Sequence, residues 1–406
     1  MWTLAWRNIW RKRWRSLFTI GAVGLVVVLT LVYFGIGGAA RNALYQSLTE
    51  GSGHLQVRVE GYRDLREFSD LLIRDVDEVR GALSADTDNA WIVEILEVPG
   101  LLEGSARSRG VAVQGVARPD ALQAQYAEEN LLEGRLPIGN EADTMALSHG
   151  LARAIDVGIG DTVYAYTPGT EGYGAAAYTV VGLLDFPASA HLAQLSLPAA
   201  QELAAPGAVT RFEVHLPTFK RLSDDETLPA VRQRLHSTLG ERYSIETWRD
   251  ANPGLASYVE MLAPMQAIVT GIFFILAGLL VTNTVYLSII ERVREFGVIQ
   301  ALGASQRKVM GMVLTESLFL CFLGALAGSA IAAGIVARMA QGFSFPAELT
   351  EYMAGLGLPA VLYASVSLGQ IAVTVAFTFT LGVLAAVLPA LTATKLVPIE
   401  AIRYTA

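Results

Sequence analysis

The chain has 406 residues, of which 52% are hydrophobic and only 17% charged, with a formal net charge of −8. Mean hydropathy is +0.41, and soluble domains carry about 25% charged residues, so the composition excludes an ordinary soluble protein. The single cysteine, Cys321, excludes a disulfide framework and a cysteine metal cage.

From the amino terminus, Trp2, Trp6, Trp10 and Trp14 recur every four residues, with Arg7, Arg11, Lys12, Arg13 and Arg15 among them. That spacing puts the tryptophans on one drifting helical face. Tryptophan favours the membrane–water interface, and basic residues favour anionic headgroups. Residues 1–15 therefore read as an amphipathic elbow helix on the cytoplasmic leaflet, with Trp2, Trp6, Arg7, Trp10, Trp14 and Arg15 at the interface and lipid as their partner. A tryptophan stripe packed on protein is the alternative.

A bilayer core of about 30 Å needs about 20 mostly apolar residues per helix. Residues 16–38 meet that need without a charge, and they exceed the ~7–15 residues of a signal-peptide apolar region. Residues 39–260 follow, and from Arg41 to Glu260 the net charge is −14. Stretches 54–59, 110–116 and 178–183 alternate as strands do. Stretches 67–84, 119–130 and 228–239 read as helices. This is an α+β domain large enough for its own core, with a strand order that the pattern does not reveal. Its acidity does not suit nucleic acid as a partner.

Residues 261–290 form a second uncharged span, 309–339 a third, interrupted by Glu316 and Arg338, and 371–391 an uncharged fourth. Between the second and third lies a short connection, 291–308. The loop 340–370 holds Glu348 and Glu351 and no basic residue, whereas the amino-terminal segment, the 291–308 connection and the tail 392–406, with Lys395 and Arg403, are basic. Basic residues favour the cytoplasmic side. Both termini and the connection are therefore expected in the cytoplasm, and the α+β domain outside it.

The connection reads Glu291-Arg292-Val293-Arg294-Glu295-Phe296-Gly297, then Ala301-Leu302-Gly303-Ala304-Ser305. Its charges suit a water-exposed helical turn where the second span leaves the bilayer. Phe296 offers an apolar plug for a partner's groove, and Gly297 and Gly303 allow a sharp reversal. An ordinary charged loop with interchangeable charges is the alternative. Glu316 in the third span is costly unless it faces a bundle interior or water. It reads either as a snorkelling or helix-pairing carboxylate or as a switch in coupling. Gly324 and Gly328 read as sites of close helix packing.

No energy-converting site is present in the sequence. A phosphate-cradling loop needs Gly-x-x-x-x-Gly-Lys-Ser/Thr, and none of Lys12, Lys220, Lys308 and Lys395 follows a glycine. The five histidines, among them His54, His149 and His215, form no His-Glu-x-x-His pattern. An enzyme is not expected, and neither is a directly bound metal or cofactor.

The connection resembles the coupling helix of the FtsX-like permease family, the MacB and lipoprotein-releasing type of ABC transporter. The likeness covers nearly the whole chain. Ala5-Trp6-Arg7-Asn8 with Arg15 and Leu17 resembles the family's amino-terminal segment. Glu133-Gly134-Arg135-Leu136-Pro137, Val157-Gly158-Ile159-Gly160-Asp161-Thr162-Val163 and Leu195-Ser196-Leu197-Pro198 are similar to the MacB-type periplasmic core. The third span with Glu316, Gly324 and Gly328, and the tail from Leu388 to Arg403, also fit.

The resemblance implies a permease of the bacterial inner membrane, paired with itself or a homologous subunit. It implies two ATPase subunits, which bind ATP and magnesium and dock on Glu291 to Ser305. It further implies mechanotransmission: closure at the ATPase swings the external domain to release a lipoprotein or expel a hydrophobic substrate. Residues 164–178 lie where the lipoprotein-releasing branch carries a hook for a periplasmic chaperone, but Pro168 and Tyr173 sit in a short Gly/Ala-rich hairpin. An adaptor in that place fits equally, as does activation of a cell-wall hydrolase. A membrane-anchored binding protein without transport is the rival outside the transporter class.

Overall fold

The computed structural model describes residues 13–87, 89–105, 107–139, 141–186, 191–346, 349 and 361–394. Trp2, Trp6, Arg7 and Trp10 lie outside these residues, as do Glu348, Glu351, Lys395 and Arg403. The chain divides into two compact units, one of them Leu44–Ser257 and the other built from the segment through Ala43 and the chain from Tyr258 onward.

Helix α1, Arg13–Ser52, is a single run of 40 residues. At 1.5 Å per residue it spans about 60 Å, twice the thickness of a bilayer core. Within the described residues the helix is continuous across Arg15 and Ser16, and the rest of the expected elbow helix lies outside them. Arg13, Trp14 and Arg15 are part of the same helix as the span, with no proline or glycine among them. Trp14 is 78% exposed.

The Leu44–Ser257 unit holds β1 (Leu55–Val59), α2 (Val76–Asp86), β2 (Trp91–Glu103) and β3 (Ser108–Ala117). Next come α3 (Asp120–Asn130), β4 (Leu131–Gly134), β5 (Thr144–Ser148) and α4 (His149–Ile155). Then follow β6 (Thr162–Gly169), β7 (Gly172–Leu184), β8 (Leu192–Ser196) and α5 (Leu197–Ala204). It ends with β9 (Arg211–His215), α6 (Leu228–Leu239), β10 (Tyr243–Thr247) and α7 (Trp248–Ala251). The helix expected over 67–84 begins only at Val76, because Phe68–Leu71 forms a separate 3-10 turn.

Ladder pairs run β10-β1-β9-β2-β3-β8-β5-β7-β4, and β6 bridges β7 to β2. The strands β2, β3, β8, β5, β7 and β6 therefore close a ring. Strand β2 makes this possible by serving two partners along one edge. Its first residues, Trp91 to Ile95, pair with β9, and Leu101 to Glu103 pair with β6. Pro99 and Gly100 lie between, and a proline has no N–H to give to a ladder.

The core of this unit includes Tyr45, Phe212 and Trp248, all fully buried. Tyr45 packs edge-on against Trp248 and His54, with ring centroids 5.5 and 5.9 Å apart. The last turns of α1 thus contribute Leu44, Tyr45 and Thr49 to the domain's interior. The Trp248 Nε1–H donates to Asp225, and Arg249 donates to the same carboxylate from Nη2 at 2.8 Å.

The second unit adds α8 (Pro253–Ile290), α9 (Val293–Ala301), α10 (Gln306–Met339), β11 (Phe343–Ser344), β12 (Val361–Leu362) and α11 (Leu368–Thr394). Among the described residues, α1, α8, α10 and α11 are long and apolar enough to cross a membrane. They share one core. Val23 of α1, Val281, Val285 and Ile289 of α8, Val309, Val313 and Cys321 of α10, and Ala386 and Ala390 of α11 pack together around Phe296 of α9.

Candidate functional site

The site at one end of this bundle is α9 and the turns that flank it. Helix α8 ends at Ile290, and two residues later α9 starts with Arg292 as its N-cap. Along α9 the side chains divide at helical spacing. Glu291, Arg294, Val298, Ala301 and Leu302 are exposed, whereas Arg292, Val293, Phe296 and Gly297 are buried. One face meets solvent and the other meets the bundle.

The carboxyl end of α9 is a Schellman turn. The Gly303 N–H donates to the Gln300 carbonyl at 2.9 Å, and the Ala304 N–H donates to the Ile299 carbonyl at 3.1 Å. Gly303 has φ +96°, a backbone region that side chains disfavour. Ser305 then caps α10, where the Lys308 N–H donates to its carbonyl. The turn leaves Leu302 83% exposed at the tip.

Three expectations for this stretch are corrected. Phe296 is not an exposed plug, because it is 1% exposed and sits in the bundle's core. Val298 and Leu302 are the large apolar side chains of this stretch that face outward. Gly297 makes no turn, lying buried inside α9 without a positive φ. Arg292 is not on the water-exposed face either. Its Nη1 donates to Oε2 of Glu316 at 2.9 Å, its Nε donates to Oε2 of Glu295 at 2.9 Å, and its guanidinium lies 5.2 Å from the Phe296 ring centre. Glu316 is buried in that pair rather than reaching an interface. The hydrophobic period of α9 carried the signal, since positions 292, 293, 296 and 297 form one stripe.

Further into the bundle, Gly324 and Gly328 of α10 face α1. A β-carbon on Gly324 would lie 2.8 Å from Cβ of Val23, and one on Gly328 would lie 2.5 Å from the Gly24 carbonyl oxygen. Gly24 is the counterpart that sequence reasoning missed. Its signal was the pair Gly21 and Gly24 within an apolar run.

In the other unit, β6 and β7 form the hairpin expected over 164–178, with Pro168 opposite Tyr173. Tyr173 is 91% exposed. Tyr164 and Tyr166, not singled out from the sequence, are exposed on the partner strand β6, opposite Ala177 and Ala175 of β7. Their alternation was the available signal, as strand positions two apart share a face. Tyr166 donates its hydroxyl to Glu103 at 3.3 Å.

Elsewhere in that unit His54 bridges two backbone groups. Its Nδ1 accepts from the Leu216 N–H at 3.1 Å, so Nε2 carries the proton, which it donates to the Phe219 carbonyl at 3.2 Å. Burial lowers its pKa to about 4, opposed by that bond to Phe219. Glu213 shows the reverse balance. Burial pushes its carboxyl up, but Arg211 and His215 outweigh burial and hold it at about 2.

Comparison with known proteins matches both halves of this architecture. The MacB-like periplasmic core domain model matches residues 16–238, and the FtsX-like permease C-terminal model matches residues 267–398. The chain belongs to the MacB/FtsX-like permease family. It is similar to the macrolide export ATP-binding/permease protein MacB of Syntrophobacter fumaroxidans, 29% identical over 173 residues, covering 43% of this chain and 22% of that protein. It thus spans under a quarter of that MacB.

Two relatives match along nearly their full length. One is an ABC transporter permease of Methanocaldococcus jannaschii, 23% identical, with 99% of this chain and 97% of that protein covered. The other is the lipoprotein-releasing system transmembrane protein LolC of Neisseria meningitidis, 21% identical, with 96% and 94% covered. The family accounts for the fold: four candidate membrane helices, with a MacB-like α+β domain inserted after the first.

Proposed function

We propose that this chain is the permease subunit of an ABC transporter that does mechanical work outside the cytoplasm with energy from a separate ATPase. The observation that carries this reading is α9. A short amphipathic helix is held at the end of four membrane-length helices, with Glu291, Arg294, Val298 and Leu302 turned outward. That face offers charge at one end and two apolar side chains, Val298 and Leu302, at the other, which suits a groove in a soluble partner.

The ATPase supplies ATP and magnesium, and two copies serve a pair of permeases, either identical or homologous. Both termini and α9 face the cytoplasm of the inner membrane, following the basic loops. Closure of the ATPase pair displaces α9, and the bundle carries the displacement to the external domain. A ligand of that domain is then released because the two states bind it differently. The exposed Tyr164, Tyr166 and Tyr173 on the β6–β7 hairpin, with Pro168, suit docking of a periplasmic chaperone or adaptor. The cargo is a lipoprotein or a hydrophobic small molecule, in keeping with the names of the relatives.

The test is co-purification of the detergent-solubilised chain with P-loop ATPases, wild type beside Arg294→Glu/Leu302→Glu. Recovery of an ATPase with wild type and its loss from the variant is the expected result. An ATPase absent from wild type would overturn the transporter reading and leave a membrane-anchored binding protein in its place.

A further inference from the structure

We infer that Arg292 and Glu316 form an internal clamp that makes α9 and α10 move as one body, so that Arg292 is a positioning residue rather than a contact for the ATPase. The transmission role rests on the proposed function, whereas the clamp itself does not.

The sequence presents Arg292 as one of four charges in a polar turn. The structure separates it from the other three. Glu291 and Arg294 are exposed and Glu295 is half-exposed, but Arg292 and Glu316 are 5% and 8% exposed. The two arms of one guanidinium are divided between helices. Its Nε holds Glu295 within α9, and its Nη1 holds Glu316 in α10, each at 2.9 Å. Its central carbon lies over the ring of Phe296, 5.2 Å from the ring centre, and Phe296 is itself buried in one cluster with Val285, Ile289, Val309 and Val313. A guanidinium suits this task because its donors sit in a rigid fork.

Burying such a pair is poor value for stability alone, since an apolar pair of similar volume is often as stable. What it provides is register. Sliding α9 along α10 would separate a buried charge from its only opposite charge on that helix, so intermediate positions are costly and the contact is kept or lost as a whole. The Leu302–Ser305 reversal closes the other end of the same α9–α10 corner. Held by the Gly303 turn at one end and the ion pair at the other, α9 has no hinge through which an applied displacement could be absorbed. The displacement therefore passes to α10, whose Gly324 and Gly328 pack directly on α1.

The experiment compares wild type, Glu316→Gln, Arg292→Glu, and the exchange Arg292→Glu/Glu316→Arg, each purified as the full chain. Hydrogen exchange of the amides of Val293–Ala301 is read first, without ATPase. The clamp predicts exchange about tenfold faster in both single variants, with protection regained in the exchange variant. The ATPase complex is read next, as ATP hydrolysis beside the ATP-dependent change in hydrogen exchange of the Leu44–Ser257 unit. The single variants should bind ATPase and hydrolyse ATP, while the external response per ATP falls about tenfold and recovers in the exchange variant.

Glu316→Gln is close to isosteric and remains readable should Arg292→Glu fail to insert. Unchanged exchange in α9 of Glu316→Gln, or no recovery in a folded exchange variant, overturns the clamp. A full external response per ATP in Glu316→Gln overturns its role in transmission. A wild-type chain that binds no ATPase defeats the proposed function instead, and the first readout still decides the clamp.

Discussion

Gly24 of α1 and Gly328 of α10 meet so closely that a β-carbon on Gly328 would stand 2.5 Å from the Gly24 carbonyl oxygen and 2.9 Å from Cβ of Val27. Helices in lipid gain little from hydrophobic driving force, so their attraction depends on close backbone approach. Val27, Leu31, Ala325 and Ala332 complete the contact on either side.

Gly328→Leu should therefore separate the two helices. Overpacking of this kind costs about 1–3 kcal/mol, seen as a lower midpoint in thermal unfolding of the detergent-solubilised chain. Gly21→Ala is the control, because a β-carbon there meets nothing within 4 Å. An equal loss in both variants would refute the packing argument.

Phe296 and Leu302 lie on one short helix and should respond oppositely to truncation. Phe296→Ala removes a ring from the bundle's core and should cost about 3–5 kcal/mol. Leu302→Ala, at an exposed tip, should change stability by no more than about 0.5 kcal/mol yet weaken ATPase association about tenfold. Thermal unfolding beside binding measurements checks both. A destabilised Leu302→Ala would show that the tip belongs to the core.

His54 gives the Leu44–Ser257 unit a pH dependence of definite sign. Its folded pKa is about 4 against an ordinary 6.5, chiefly through burial. The unfolded chain therefore takes up the proton first as pH falls. Stability from the neutral ring is complete above pH 6.5 and is lost as pH drops from there to 4, to a total of about 3 kcal/mol. Glu213, held at about 2, adds a loss only below its unfolded value of 4.5. Urea unfolding between pH 7.5 and 5 of wild type beside His54→Gln reads the histidine as the difference between the two curves, which should shrink as pH falls. Curves of equal slope in wild type and His54→Gln would contradict the buried neutral ring.

Asp225 is surrounded by donors, with the Trp248 indole N–H at 3.1 Å and the Arg249 Nε–H at 3.0 Å. Asp225→Ala leaves the buried indole without an acceptor and should cost about 3 kcal/mol. Trp248 fluorescence during denaturation reports the change. Asp225→Asn, which keeps one acceptor, should lose less.

Much of the architecture was legible in one dimension. Apolar runs long enough to span a bilayer identify α1, α8, α10 and α11, because the requirement is one of length and composition. The reversal at Gly303 was equally plain, since a glycine after a short helix supplies the positive φ that its last turn needs. The burial of Arg292 and Phe296 was not legible. Charge beside charge reads as a solvated turn until the opposing surface is known, and Glu316 stands 24 residues further along the chain. The ring of strands was hidden for a related reason. Alternation marks stretches of β1, β3 and β7 as strands, but it does not say that β2 pairs with β9 and then, beyond Pro99, with β6.

By itself, then, the sequence determined what is local: which segments suit lipid, which stretches form helices or strands, and where the chain turns. Hydropathy, propensity and turn chemistry act within a few residues, so they survive without the fold. Only the tertiary structure decided which face of α9 is presented outward, which glycine of α1 meets Gly328, and which strands close the ring. Each of those depends on a partner distant in sequence, and burial of a charge or a close helix contact has meaning only once that partner is in place.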